Sequence, residues 1–171
     1  AYFGFEAGKN GQTGFGNAFF GTLAGRDNTA PNNAFFGSFA GAQNTSGGTN
    51  AFFGRGAGQT NTTSSGNSYF GYQAGVFATG ASNSFFGSSA GGGNTSGSNN
   101  TFIGLVAGNT NTIGGNNTAV GKFADFSVNN LNFATAIGSG AVATASNTVV
   151  LGRNLDTVQI PGALTVTGAT T

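Results

Sequence analysis

Four residues stand out as able to contact a ligand: Arg26, Asp27, Arg55 and Tyr72. A guanidinium offers a fork of donors to carboxylates and hydroxyls. A carboxylate accepts from hydroxyls and amides, and a tyrosine ring adds an apolar face with a polar rim. This is recognition chemistry rather than bond-breaking chemistry. The acids are Glu6, Asp27, Asp125 and Asp156, in different parts of the chain. Glycan hydrolysis would need two carboxylates across a cleft, and this scatter does not predict such a pair. Histidine and cysteine are both absent. That removes histidine-based triads and metal sites built on His or Cys. The reading is therefore not an enzyme, with no cofactor and no metal.

Charge narrows the class further. Only 5% of residues are charged, and the net charge is +1. The cations Lys9, Arg26, Arg55, Lys122 and Arg153 form no patch, so no nucleic-acid partner is expected. No run of about 18 apolar residues suits a membrane helix, and no membrane insertion by this segment is expected. The 33 glycines could suggest disorder, but the 18 phenylalanines argue for a packed core.

The elements that position these residues follow from one repeat. Gly4, Gly21, Gly37, Gly54, Gly71, Gly87, Gly104, Gly121, Gly138 and Gly152 recur at steps of 16 or 17 residues, ending with a step of 14. A fixed short period means one structural unit stacked on itself. Take each of these glycines as position 0. Position −1 is bulky and apolar in every coil, from Phe3 to Leu151. Position −2 is aromatic through Phe102, then becomes Ala119, Ala136 and Val150. Position +3 is alanine in nine coils, from Ala7 to Ala141. Helices are disfavoured, because each interior glycine costs a helix roughly 1 kcal/mol and no apolar stripe runs at 3.6 residues.

The residues before each glycine read as a short strand. Alternation puts positions −3 and −1 on one face and −2 on the other. Both faces are apolar, so both need cover. One face can fill the interior of the coil, and the simplest cover for the other is a second copy of the same rod. We expect position −1 to line the core. Position −2 (Phe19, Phe35, Phe52, Tyr69, Phe85 and Phe102) is then expected to face neighbouring subunits. A lone coil cannot fold. It would lose about 1–2 kcal/mol of backbone entropy per residue against two buried side chains worth about 1.5–3 kcal/mol each.

The rest of each coil is turn chemistry. Asparagine occupies −4 in seven consecutive coils, Asn17 to Asn117, and +7 in Asn28, Asn44, Asn61, Asn94 and Asn111. Asparagine suits corners, and stacked amides form ladders. Threonine holds +8 in six coils, Thr29 to Thr112. Positions +1 and +2 vary freely, and they include Arg55 and Tyr72. A binding face would be written at such positions. Residues 1–154 thus form a repeat solenoid. Residues 155–171 read as a β segment leading into a following domain, with a turn at Pro161-Gly162.

The stretch Thr135-Ala136-Ile137-Gly138-Ser139-Gly140-Ala141, followed by Asn147-Thr148-Val149-Val150-Leu151-Gly152, resembles the head repeat of YadA-like trimeric autotransporter adhesins. Asn116-Asn117-Thr118-Ala119-Val120-Gly121 is similar to it as well. The longer coils resemble repeats of bacterial and phage fibre proteins, with phenylalanine in place of the central alanine. The resemblance implies an all-β fold: a left-handed parallel β-roll (β-solenoid) of about ten 14–17-residue coils, assembled as a homotrimer. It implies an extracellular place, on a bacterial cell surface or a phage-like tail fibre. The expected function is attachment to a surface glycan or protein receptor on a target cell. Two alternatives stand beside it: an ice-binding solenoid and a purely structural spacer of a tail fibre.

Overall fold

The computed structural model describes residues 1–11, 13–165 and 167–168. Among these the chain is an all-β parallel solenoid of about nine turns without a helix. Ten short strands bound those turns, one at each rung. They are β1 (Tyr2–Phe3), β2 (Ala18–Phe20), β3 (Ala34–Phe36), β4 (Ala51–Phe53), β5 (Ser68–Phe70), β6 (Ser84–Phe86), β7 (Thr101–Ile103), β8 (Thr118–Val120), β10 (Thr135–Ile137) and β12 (Val149–Leu151). They form one parallel sheet in that order. Equivalent positions pair directly: Phe35 with Phe52, and Phe52 with Tyr69. A second sheet pairs β9 (Asp125–Phe126) with β11 (Val142–Ala143).

The period glycine is required by backbone geometry. Gly54 has φ +140°, and a Cβ there would lie 2.2 Å from the carbonyl oxygen of Gly71 in the next coil. Side chains do not adopt that backbone, and the coils approach too closely to admit one. Glycine therefore stacks on glycine from Gly4 to Gly138.

The structure reverses the expected roles of the two strand faces. Phe19, Phe35, Phe52, Tyr69, Phe85 and Phe102, expected at a subunit interface, are completely buried inside the single chain. Their rings stack in a column with centroids 4.8–4.9 Å apart and planes within 9°. Ala24, Ala40, Ala57, Ala74, Ala90 and Ala107, at +3, are buried with them. Position −1 points outward instead, where Phe20, Phe36, Phe53, Phe70 and Phe86 form a second stacked column, partly open to solvent.

The physical reason lies at +4. Gly58 has φ +57°, and a Cβ on it would sit 2.5 Å from the ring of Phe52. Each −2 ring lies flat on the bare backbone of its own coil's +4 glycine, from Gly25 to Gly108. Alternation shows that −1 and −2 oppose each other. The +4 glycine decides which of them goes inside.

The same logic explains the change near the end. Where −2 shrinks to Ala119 and Ala136, +4 becomes Asp125 and Val142 and pairs as β9 and β11. Phe126 turns inward there, with its ring tilted by 51° at 5.7 Å from Phe102. Between Arg153 and Thr165 no residue is in a strand, and Leu155, Val158, Ile160 and Leu164 are exposed. Gly162 N–H closes a tight turn onto the Ile160 carbonyl at 2.9 Å, at the expected Pro161-Gly162 turn. Val166 and residues 169–171, which also fall within the expected β segment, lie outside the described residues.

Candidate interaction surface

Variable residues at +1 and +2 stand on a rigid turn. Position +2 is left-handed in every coil from Glu6 (φ +54°) through Leu23, Phe39, Gly56, Gln73 and Val106 to Gly140. Neighbouring coils support it by backbone bonds such as Phe39 N–H to the Thr22 carbonyl at 2.8 Å. The side chains there are presented from fixed backbone.

Arg55 and Tyr72 occupy +1 in adjacent coils and meet. Arg55 Nη1 donates to the Tyr72 hydroxyl at 3.3 Å, and the guanidinium carbon lies 5.8 Å from the ring centroid. A notch of about 40 Å³ opens beside them, lined by Phe39, Arg55, Gly56, Gln59 and Gln73. Its floor is Gly56, where most coils carry a side chain at +2. The arginine forms none of the ion pairs among the described residues; those join Lys9 to Glu6, Arg26 to Asp27 and Arg153 to Asp156. An oriented but unneutralised guanidinium with two amides and an aromatic edge can take a carboxylate or a cluster of hydroxyls.

Arg26 and Asp27 are brought together, but with each other. Arg26 Nε and Nη2 donate to the two Asp27 oxygens at 2.9 and 2.6 Å, and Asn10 Nδ2 donates to Asp27 Oδ1 at 2.8 Å. The Arg26 hydrogen bonds hold the Asp27 carboxyl below the usual aspartate range, and the Asp27 carboxylate raises Arg26 in turn. This pair answers its own charge. It sits at +5 and +6 of its coil, apart from the +1 rank that holds Arg55 and Tyr72.

The remaining carboxylates are engaged locally. Glu6 accepts from Lys9 at 2.6 Å and Asp156 from Arg153 at 3.0 Å. Asp125 caps the backbone N–H and hydroxyl of Thr110 at 3.0 and 2.8 Å. No two acids face each other across a cleft. A larger cavity of about 690 Å³ lies at the last turn, lined by Val142, Val150, Arg153 and Leu155 among others. It contains no acid pair either.

Gln59 was not legible as a site residue, because it sits at +5 and reaches the notch only through the turn. Gly56 carried the available signal: it is bare, like Gly140, in a rank that the other coils fill with side chains.

The threonine rank at +8 is used internally. Thr29, Thr45, Thr79 and Thr95 Oγ1 donate to the carbonyls of Thr45, Thr62, Thr95 and Thr112 at 2.9–3.0 Å. These hydroxyl protons are committed to the next coil and are not offered to a regular array of water.

The most extensive exposed feature is the outer column at −1. Phe20 and Phe86 each keep 39% of their surface open, and Ile103, Ile137 and Leu151 continue the line. With strands about 4.8 Å apart, ten rungs give an apolar stripe roughly 45 Å long. No family model, curated protein or solved structure matches this chain.

Proposed function

We propose that this chain is a segment of a homotrimeric fibre, exposed outside a bacterium or on a phage-like particle, that mediates attachment to a surface glycan or protein receptor. The solenoid of this proposal is left-handed and parallel, as in the YadA-like head repeats its last coils resemble. The observation that carries the reading is the outer stripe of Phe20, Phe36, Phe53, Phe70, Phe86 and Ile103 along the parallel sheet. A stripe about 10 Å wide and 45 Å long reaches the size at which exposed apolar surface marks an interaction site. Identical copies of a rod with one repeating face match each other rung by rung, which favours a closed symmetric assembly. The interface of this proposal is therefore position −1, the face opposite to the one expected from alternation alone.

Attachment would come from the +1 and +2 faces, which a trimer displays three times. Three weak identical sites on one rigid body raise avidity without new contacts. The Arg55–Tyr72 notch is the contact point of this proposal. Its guanidinium suits a carboxylate or hydroxyl cluster on a glycan or peptide. An ice-binding role gains no support from the threonine rank, because its hydroxyls donate inside the ladder.

A glycan and matrix-protein array, probed with the unmodified chain and with Arg55→Ala and Tyr72→Ala, tests the attachment role. Binding that falls at least tenfold in both variants supports the notch. Binding unchanged in both would remove the notch from the account. No binding to any surface would leave the spacer reading in its place.

A further inference from the structure

The interior asparagine ladder is interrupted at the coil of Gly71 and does not resume between Asn94 and Asn111, and the interruption has a chemistry of its own. From Asn28 to Asn61 the +7 amides stack and donate down the column. Asn44 Nδ2 donates to Asn28 Oδ1, and Asn61 Nδ2 to Asn44 Oδ1 at 3.1 Å. The −4 amides touch this column, as where Asn33 Nδ2 donates to Asn28 Oδ1 at 2.9 Å. They also donate to a carbonyl of the next corner: Asn50 to Ser64 at 2.9 Å and Asn83 to Gly97 at 2.8 Å. In the coil of Gly71, position +7 is Ala78, which is fully buried.

Every buried side-chain polar atom without a hydrogen-bond partner, among the described residues, belongs to that coil or to the +7 amides on either side of it. They are Asn61 Oδ1, Asn67 Nδ2, the Tyr69 hydroxyl, and both amide atoms of Asn94. The tyrosine is the second departure in the same coil. All five coils with Phe at −2 over a complete +7 position pair it with asparagine, as in Phe52 with Asn61 and Phe85 with Asn94. The two coils with tyrosine at −2 pair it with a small residue: Tyr2 with Gly11, and Tyr69 with Ala78. The phenolic oxygen is thus exchanged for the amide. Three heavy atoms of an amide leave and one oxygen enters, so the exchange is short of matter as well as of hydrogen bonds.

We propose that the solenoid binds one structural water molecule beside Ala78, held by the Tyr69 hydroxyl, Asn61 Oδ1 and Asn67 Nδ2. Three polar partners are what a buried water commonly has. The water accepts from Asn67 Nδ2, donates to Asn61 Oδ1, and exchanges a further bond with the phenol. It takes the ladder position that the Asn44 amide fills two coils earlier. The Asn83 amide cannot replace it. Its Nδ2 already donates to Gly97 and its Oδ1 accepts from Asn100 N–H at 2.8 Å. It lies near enough to oppose slightly the rise that burial imposes on the Tyr69 phenol, but makes no hydrogen bond with it.

A double-substitution cycle with a high-resolution crystal structure tests this. Tyr69→Phe removes the phenolic partner from the site, and Ala78→Asn drives an amide against the phenol. Each alone is expected to lower the thermal midpoint by about 3 °C or more. Together they rebuild the Phe–Asn coil, and the midpoint should return to that of the unmodified chain or above. If Ala78→Asn alone does not fold, recovery on adding Tyr69→Phe is read the same way. Density for one water within about 3 Å of the three atoms is expected in the unmodified protein, and none in the double variant. Additive losses in the cycle, or no density at the site, would overturn the proposal.

Discussion

Gly58→Ala should be among the most damaging single-methyl changes in this chain, and Gly56→Ala, two residues away, should be distinctly milder. Both glycines are left-handed, at φ +57° and +69°. Placing alanine in that region costs roughly 1–2 kcal/mol, offset by about 0.4–1 kcal/mol from a less flexible unfolded chain. At Gly56 little else changes, because the new methyl would meet only Gln59 Oε1 and Gln73 Cγ, each at 3.5 Å. The net loss there is about 0.5–1.5 kcal/mol. At Gly58 the methyl would lie 2.5, 2.6 and 2.7 Å from three ring carbons of Phe52. That ring cannot slide along the column, because Phe35 and Tyr69 stand 4.8 Å away on either side. Overpacking of this kind adds about 1–3 kcal/mol, for a net loss of about 2–4 kcal/mol. Urea unfolding followed by far-ultraviolet circular dichroism reads both variants. In a stacked repeat the loss shows either as a lower midpoint or as a separate early transition of the weakened coils. Equal losses at the two glycines would refute the claim that the +4 glycine exists to seat the inner ring.

Two further outcomes follow from the interior polar groups. Asn50 is buried; its Oδ1 accepts from Asn67 N–H at 2.9 Å and its Nδ2 donates to the Ser64 carbonyl at 2.9 Å. Asn50→Ala strands the Asn67 N–H, while the Ser64 carbonyl still accepts from Asn61 Nδ2 at 2.9 Å, and should cost about 1–3 kcal/mol in the same unfolding assay. The dependence on pH should be flat from about pH 5 to 8, since the chain has no histidine. Stability should then fall at both extremes. Burial raises the Tyr69 phenol above its ordinary 10.0. Its contribution is complete below pH 10.0 and is lost as pH climbs toward the raised folded-state value, so Tyr69→Phe should flatten the alkaline limb. The Asp27 carboxyl is lowered from 3.8. Its small contribution is present above that value and is lost as pH falls through the folded-state one, and Asp27→Asn should remove it.

The sequence carried the architecture well, because a solenoid repeats each local decision many times. Glycine at position 0 stacks from Gly4 to Gly138, and asparagine Oδ1 at −4 accepts from the next coil's backbone N–H in all seven coils where it occurs. The face of the strand was not legible from Phe52 and Phe53 themselves. Both are large and aromatic, and alternation assigns them to opposite sides without saying which is inside. The covariation of Phe52 with Gly58, and of Ala119 with Asp125, held that information. It joins positions six residues apart, beyond the reach of strand periodicity. At the candidate site, Arg55 and Tyr72 were visible as irregular residues in a regular rank. Their contact was not, since it depends on two adjacent coils placing +1 at the same azimuth. Arg26 and Asp27 looked equivalent to them until their mutual pairing removed both charges from availability.

The central claim is that the inner ring column belongs to one chain and the outer column to an assembly. Sedimentation equilibrium of the unmodified chain and of Phe53→Asp tests it most directly. The account predicts three chains of 16.8 kDa for the unmodified protein. It predicts a single folded chain, with unchanged circular dichroism, for Phe53→Asp. A folded, soluble monomer of the unmodified chain would contradict it, as would a Phe53→Asp variant that remains trimeric.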